Sequence, residues 1–141
     1  MPDGSSHYKW QKSTTVSNPS SSNYDGVYES TNNGVDDTRA IMSIDITGYT
    51  TLRFYIRSDS GSEAIYDYAR VSNLDASLTD DSSAKMTKYD KSNSGTTLSS
   101  YTEVVYNNTD GGSHRITIEY FKDGYMSDGN DRAYVLIPKN Q

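Results

Sequence analysis

Two histidines and no cysteine stand in this chain of 141 residues, so few constellations could carry catalysis. A hydrolytic triad would have to use His114 with a serine and an aspartate, because His7 sits in a polar lead-in. The chain offers no Gly-x-Ser-x-Gly elbow to expose a nucleophile, and a histidine at a turn is the simpler reading. Without cysteine there is no disulfide, no thiolate zinc site and no cysteine nucleophile. Glu29, Glu63, Glu103 and Glu119 lie in or near strands and are the candidates for a glycosidase pair. A general acid needs an apolar setting to lift its pKa. Glu103 and Glu119 alternate with apolar neighbours in a way that puts them on an outer face, where charges serve solubility. The reading is therefore a non-enzyme, with a small glycan hydrolase as the lesser alternative.

Two further chemistries are open. Asp123, Asp128 and Asp131, with Asp36 and Asp37, supply hard oxygen ligands of the kind calcium takes. Their spacing does not fit an EF-hand, and aspartates also form turns through bonds to their own backbone. A structural calcium is thus compatible with the chain but turn chemistry accounts for these residues. The tyrosines are more pointed: thirteen of them accompany one tryptophan and two phenylalanines. Tyr55, Tyr66 and Tyr68, with Arg57 and Arg70, fall opposite the aliphatic positions of two successive segments. Flat rings beside guanidinium groups suit a glycan or a protein partner. The competing reading makes those faces a second part of the core or a subunit contact.

The elements that would position these residues are strands. Ala40, Met42, Ile44 and Ile46 share one face opposite Arg39, Ser43 and Asp45, with Ile41 discordant. Leu52, Phe54 and Ile56 oppose Arg53, Tyr55 and Arg57. Ile65, Ala69 and Val71 oppose Tyr66, Tyr68 and Arg70. Asp67 falls in the apolar phase, which demands either buried partners or a bulge. The span 73–100 is polar, with a weak strand near 84–89, and reads as a crossover connection. Residues 101–106 form a strand, and Asp110-Gly-Gly112 carries a hairpin signal. Ile116, Ile118 and Tyr120 alternate through the next strand, and the segment from Arg132 to Ile137 closes the fold before Pro138. No helical period occurs. This pattern predicts an all-β, antiparallel two-sheet sandwich, jelly-roll-like, with seven to eight strands at 26–141. Residues 1–25 read as a polar lead-in with a first edge strand at Tyr8–Trp10.

Bulk properties narrow the partners. A net charge of -6 with no local basic run opposes nucleic-acid binding, which needs cations to displace phosphate counterions. The longest apolar run, ending at Ile137, is far shorter than a membrane span, so no membrane insertion is expected. No basic segment followed by an apolar stretch marks a signal peptide near Met1. Hydrophobic residues make up 33%, but their gathering into alternating runs favours a folded domain with wet outer faces over disorder.

The segments Asp110-Gly-Gly-Ser-His-Arg-Ile-Thr-Ile-Glu-Tyr-Phe-Lys-Asp123 and Gly129-Asn-Asp-Arg-Ala-Tyr-Val-Leu-Ile-Pro138 resemble a β-sandwich domain of gut Bacteroidetes and their tailed phages. Ile56-Arg-Ser58, Tyr66-Asp-Tyr68 and Val71-Ser-Asn-Leu-Asp75 look like its middle strands. Such domains are similar to carbohydrate-binding jelly rolls and sit as appendages on virion or surface proteins. The resemblance implies a non-catalytic attachment or structural domain at a virion surface. Its partners would be a glycan or host-surface receptor and other virion proteins, and a homotrimer is plausible for such an appendage. A carbohydrate-binding module on a bacterial surface or secreted protein is the alternative. No ligand set or catalytic residue is implied.

Overall fold

The computed structural model describes residues 7–78, 84–124 and 127–139; most of the sequence-predicted lead-in is included, and residues 1–6 lie outside. Ten strands are present among the described residues: β1 (His7–Tyr8), β2 (Trp10–Lys12), β3 (Tyr28–Ser30), β4 (Arg39–Thr47), β5 (Thr51–Asp59), β6 (Tyr68–Ser72), β7 (Met86–Tyr89), β8 (Thr102–Asn107), β9 (Ser113–Phe121) and β10 (Arg132–Leu136). They form two five-stranded sheets. Sheet A runs β1-β4-β9-β6-β7 and sheet B runs β2-β3-β10-β5-β8. Every pairing is antiparallel except the short β1–β4 contact. The sandwich is as expected. Its count exceeds seven to eight because the lead-in adds β1 to one sheet edge and β2 to the other.

The pairings nest. β6 pairs with β7, β5 with β8, β4 with β9, and β3 with β10. A long two-stranded ribbon with its tip between β6 and β7 has been rolled into two layers, which is the jelly-roll wind. The Asp110-Gly-Gly112 turn consequently makes no hairpin, contrary to its local signal. It joins β8 in sheet B to β9 in sheet A. A second corner at Gly48 joins β4 to β5, and Asn108 ties the two corners together. Its side-chain amide donates to the carbonyls of Gly48 (2.6 Å) and Gly112 (2.7 Å), and its backbone N–H donates to Thr50 (2.8 Å).

The core lies between the sheets and follows the alternation. Ala40, Ile46, Ala69, Val71, Ile116, Ile118 and Tyr120 from sheet A meet Leu52, Phe54, Ile56, Val104, Ala133 and Val135 from sheet B. Trp10 packs at its margin. Burial of such side chains stabilises the fold by roughly 1.5–3 kcal/mol each. A second, smaller apolar cluster of Tyr24, Val27, Tyr101, Tyr134 and Leu136, with Tyr55 against it, covers the outer face of sheet B. Ile65 does not join the core. The segment before β6 is a turn that follows a 3-10 turn at Gly61–Glu63, and Ile65 is 63% exposed there.

Candidate functional site

The five residues singled out by pattern do not form one patch. β5 and β6 are successive in the chain but belong to opposite sheets, so Tyr55 and Arg57 face outward on one side of the sandwich. Tyr68 and Arg70 face outward on the other side, paired with Phe121 and Glu119. Tyr66 sits in the turn before β6 and is exposed. A period of two says which face of its own strand a residue occupies; it carries no information about which sheet the strand joins.

On sheet A the outward residues are nonetheless sealed. Tyr68 tilts against Phe121 with ring centroids 5.5 Å apart, and Lys88 lies 5.5 Å above the Tyr68 ring. Arg70 covers Phe121 at 4.8 Å and donates to Glu119 at 2.9 Å. Glu119 is fully buried, not the exposed solubility charge that its alternation suggested. Burial pushes its carboxyl up from the ordinary range, while Arg70 and then Arg39 pull it down. Arg39 reaches it at 3.9 Å.

The acidic loops meet at one end of the sandwich, around a buried lysine. The Lys122 ammonium donates to Asp67 (2.9 Å), Asp131 (2.9 Å) and Ser127 (3.0 Å). Asp67 also accepts from the backbone N–H of Asp123 at 3.0 Å. Its departure from the apolar phase of its segment is thus resolved by buried partners. Desolvation pushes the Asp67 carboxyl up to about 6, against the opposing pull of Lys122 and the Asp123 N–H. Asp131 accepts in addition from the Tyr120 hydroxyl (2.9 Å) and from Gly34 N–H. Asp128 accepts from the backbone and hydroxyl of Ser62 (2.9 and 2.7 Å). Gly129 has φ 62 there, and a Cβ on it would lie 2.5 Å from an Asp59 oxygen. Of the calcium candidates, Asp128 and Asp131 therefore spend their oxygens on protein donors. Among the described residues no three histidines or acids converge to hold a metal ion.

His114 is the second polar cluster. Its Nδ1 meets Asp75 at 2.7 Å and its Nε2 meets Asp110 at 2.8 Å. Asp75, held at φ 67, also accepts from the Arg115 N–H at 2.7 Å. Hydrogen bonds to Asp75, then to Asp110, raise the imidazole pKa above its ordinary value. Both ring nitrogens face carboxylates, an arrangement that favours the doubly protonated ring and leaves neither nitrogen open to a substrate.

The site that sequence reasoning found only in part lies between the β7 and β8 edges. β8 accompanies β5 only as far as Ile56. Beyond it, the 90–101 connection crosses between the sheets, bonding Asn93 N–H to the Ser58 carbonyl at 2.8 Å. A cleft of about 470 Å³ opens there, lined by Arg57, Tyr89, Tyr101, Lys88, Lys91 and Asp90 among others. Arg57 is 3% exposed, with its guanidinium 4.0 Å from the Tyr134 ring and 5.2 Å from the Tyr101 ring. Its Nη1 donates to the Asn93 carbonyl at 2.9 Å. Burial pushes the Tyr89 hydroxyl up to about 12, keeping it a neutral phenol near pH 7. Arg57 was visible from alternation. Tyr89 and Tyr101 were not, because the connection that brings them together is polar and patternless. No protein-family model, curated protein or solved structure matches the chain.

Proposed function

We propose that this domain is a non-catalytic attachment module of a phage virion-surface or fibre protein and that it holds a glycan in the cleft between β7 and β8. The supporting observation is the cleft itself. It is lined by Tyr89 and Tyr101, the Arg57 guanidinium, the Asn93 amide and several hydroxyl groups, the combination that lets a site grip both the C–H faces and the hydroxyls of a sugar. The titratable groups elsewhere favour a binding role over turnover. His114 is locked between two carboxylates, Lys122 between two more, and Glu119 is sealed beneath arginines. His114 lines a cavity of about 510 Å³ with Asp45 and Asp75, but Asp75 is bonded to its ring and Asp45 to Arg115, so the cavity holds no second free acid or base of the kind bond-breaking chemistry requires. The virion setting rests on the resemblance of the C-terminal third.

A glycan array probed with the purified domain tests the reading. Binding is expected for the wild type and for Tyr66→Ala, and a loss is expected for Ser99→Trp, which fills the cleft from its exposed rim. A folded domain that binds nothing on the array, or binding untouched by Ser99→Trp, overturns it. Antibodies against the domain should decorate purified particles.

A further inference from the structure

Burying a guanidinium is costly unless a counter-charge or a full set of acceptors replaces water. Arg57 has neither. Its one hydrogen bond goes to a backbone carbonyl, its Nε is buried without an acceptor, and no carboxylate lies within ion-pair distance among the described residues. The rings of Tyr134 and Tyr101 favour a cation over their faces but give no lone pair in the plane of the fork. The Tyr101 hydroxyl is likewise buried and without a partner. Both residues line the cleft; Lys88 lies over the Tyr68 ring, and the remaining charged lining is two cations (Arg57, Lys91) against one carboxylate (Asp90). This is a cationic hollow in a chain of net charge -6.

We propose that the glycan held here is acidic, and that its anionic group, a carboxylate or a sulfate ester, seats on the unpaired donors of Arg57 with the Tyr101 hydroxyl beside it. The proposal rests on the glycan reading above and names the class of sugar. A planar fork with open donors matches either oxyanion, and the charge-assisted bonds would supply the counter-ion that the protein omits. Lys91 at the rim adds attraction that salt screens.

Calorimetry with matched pairs separates the possibilities. Oligogalacturonate is compared with its fully methyl-esterified form, and dextran sulfate oligomers with dextran oligomers. At least one charged member is expected to bind about ten-fold or more tighter than its neutral match, about 1.4 kcal/mol, and to weaken as salt rises. The pair that shows the difference tells carboxylate from sulfate. Equal binding within both pairs sinks the acidic-sugar proposal and leaves the glycan reading standing; no binding by any of the four, together with an empty glycan array, removes both. Arg57→Met is expected to abolish the charged preference while its melting temperature holds or rises. Should that variant not fold, the wild-type Arg57 Nε–H resonance serves instead: it must shift on titration with the charged oligomer, and an unmoved resonance overturns the proposal.

Discussion

Lys122 and Arg57 are both buried cations, and the protein treats them in opposite ways. The lysine is enclosed by Asp67 and Asp131, its ammonium fully bonded inside the loop end. The arginine lies between two tyrosine rings beside an open cleft and has no carboxylate partner among the described residues. One arrangement closes its electrostatics within the chain and so serves the fold. The other leaves a charge outstanding, which is what a site must do to favour an incoming anion over water. Arg70, with Glu119 at 2.9 Å, belongs with the first kind.

The contrast can be broken by substitution. Lys122→Met strands two carboxylates at a buried end and is expected to cost about 3–5 kcal/mol in urea unfolding. A cost below about 1 kcal/mol would mean that the loop end is not closed as described. Next comes Glu119→Gln, which removes the charge facing Arg70 and should cost about 2 kcal/mol, since hydrogen bonds to charged groups are worth about 1.5–3 kcal/mol. Arg57→Met should be neutral or stabilising by the same measurement, because no counter-charge is left behind. If it destabilises as Lys122→Met does, the two cations are alike and the contrast fails.

His114 offers a smaller, pH-dependent refinement. Its folded pKa is raised by Asp75 and Asp110, so its contribution is whole below the ordinary 6.5 and fades as pH rises through the folded value. Asp75 and Asp110 are held below the ordinary 3.8, chiefly by His114, so theirs is whole above 3.8 and fades as pH falls through their folded values. The clasp is therefore fullest between those two ordinary values. Protection factors for amide exchange of residues 73–76 should be highest in that window and fall on the alkaline side, and His114→Asn should flatten the dependence. The smallest expected effect is zero: reducing agent should leave the melting temperature unchanged, as there is no cysteine.

How much of this was legible beforehand varies with the length scale of the cause. The alternation in β4, β5 and β9 reports a half-buried pleat, and it placed Ala40, Phe54, Ile56, Ile116 and Ile118 in the core correctly. Asp67 announced itself by falling out of phase. Sheet membership was not legible, since corners such as Gly48 and Gly111 use the same turn chemistry as hairpins. Glu119 looked exposed because alternation does not show that Arg70, Phe121 and Tyr68 lie across it. The cleft was half legible: Arg57 sits in a patterned strand, whereas Tyr89 and Tyr101 flank a connection whose course depends on the rest of the fold.

The nested ribbon has a kinetic corollary. Closing β3 on β10 directly would gather the chain from Tyr28 to Val135 in one step, at a large entropic cost. Once Ser72 meets Met86 at the tip, however, each outer pair needs only a short further closure on the pair within it. Assembly is thereby favoured from the middle of the chain outward. A lesion at the β6–β7 tip would slow every later step, while one at the β3–β10 margin would chiefly hasten unfolding.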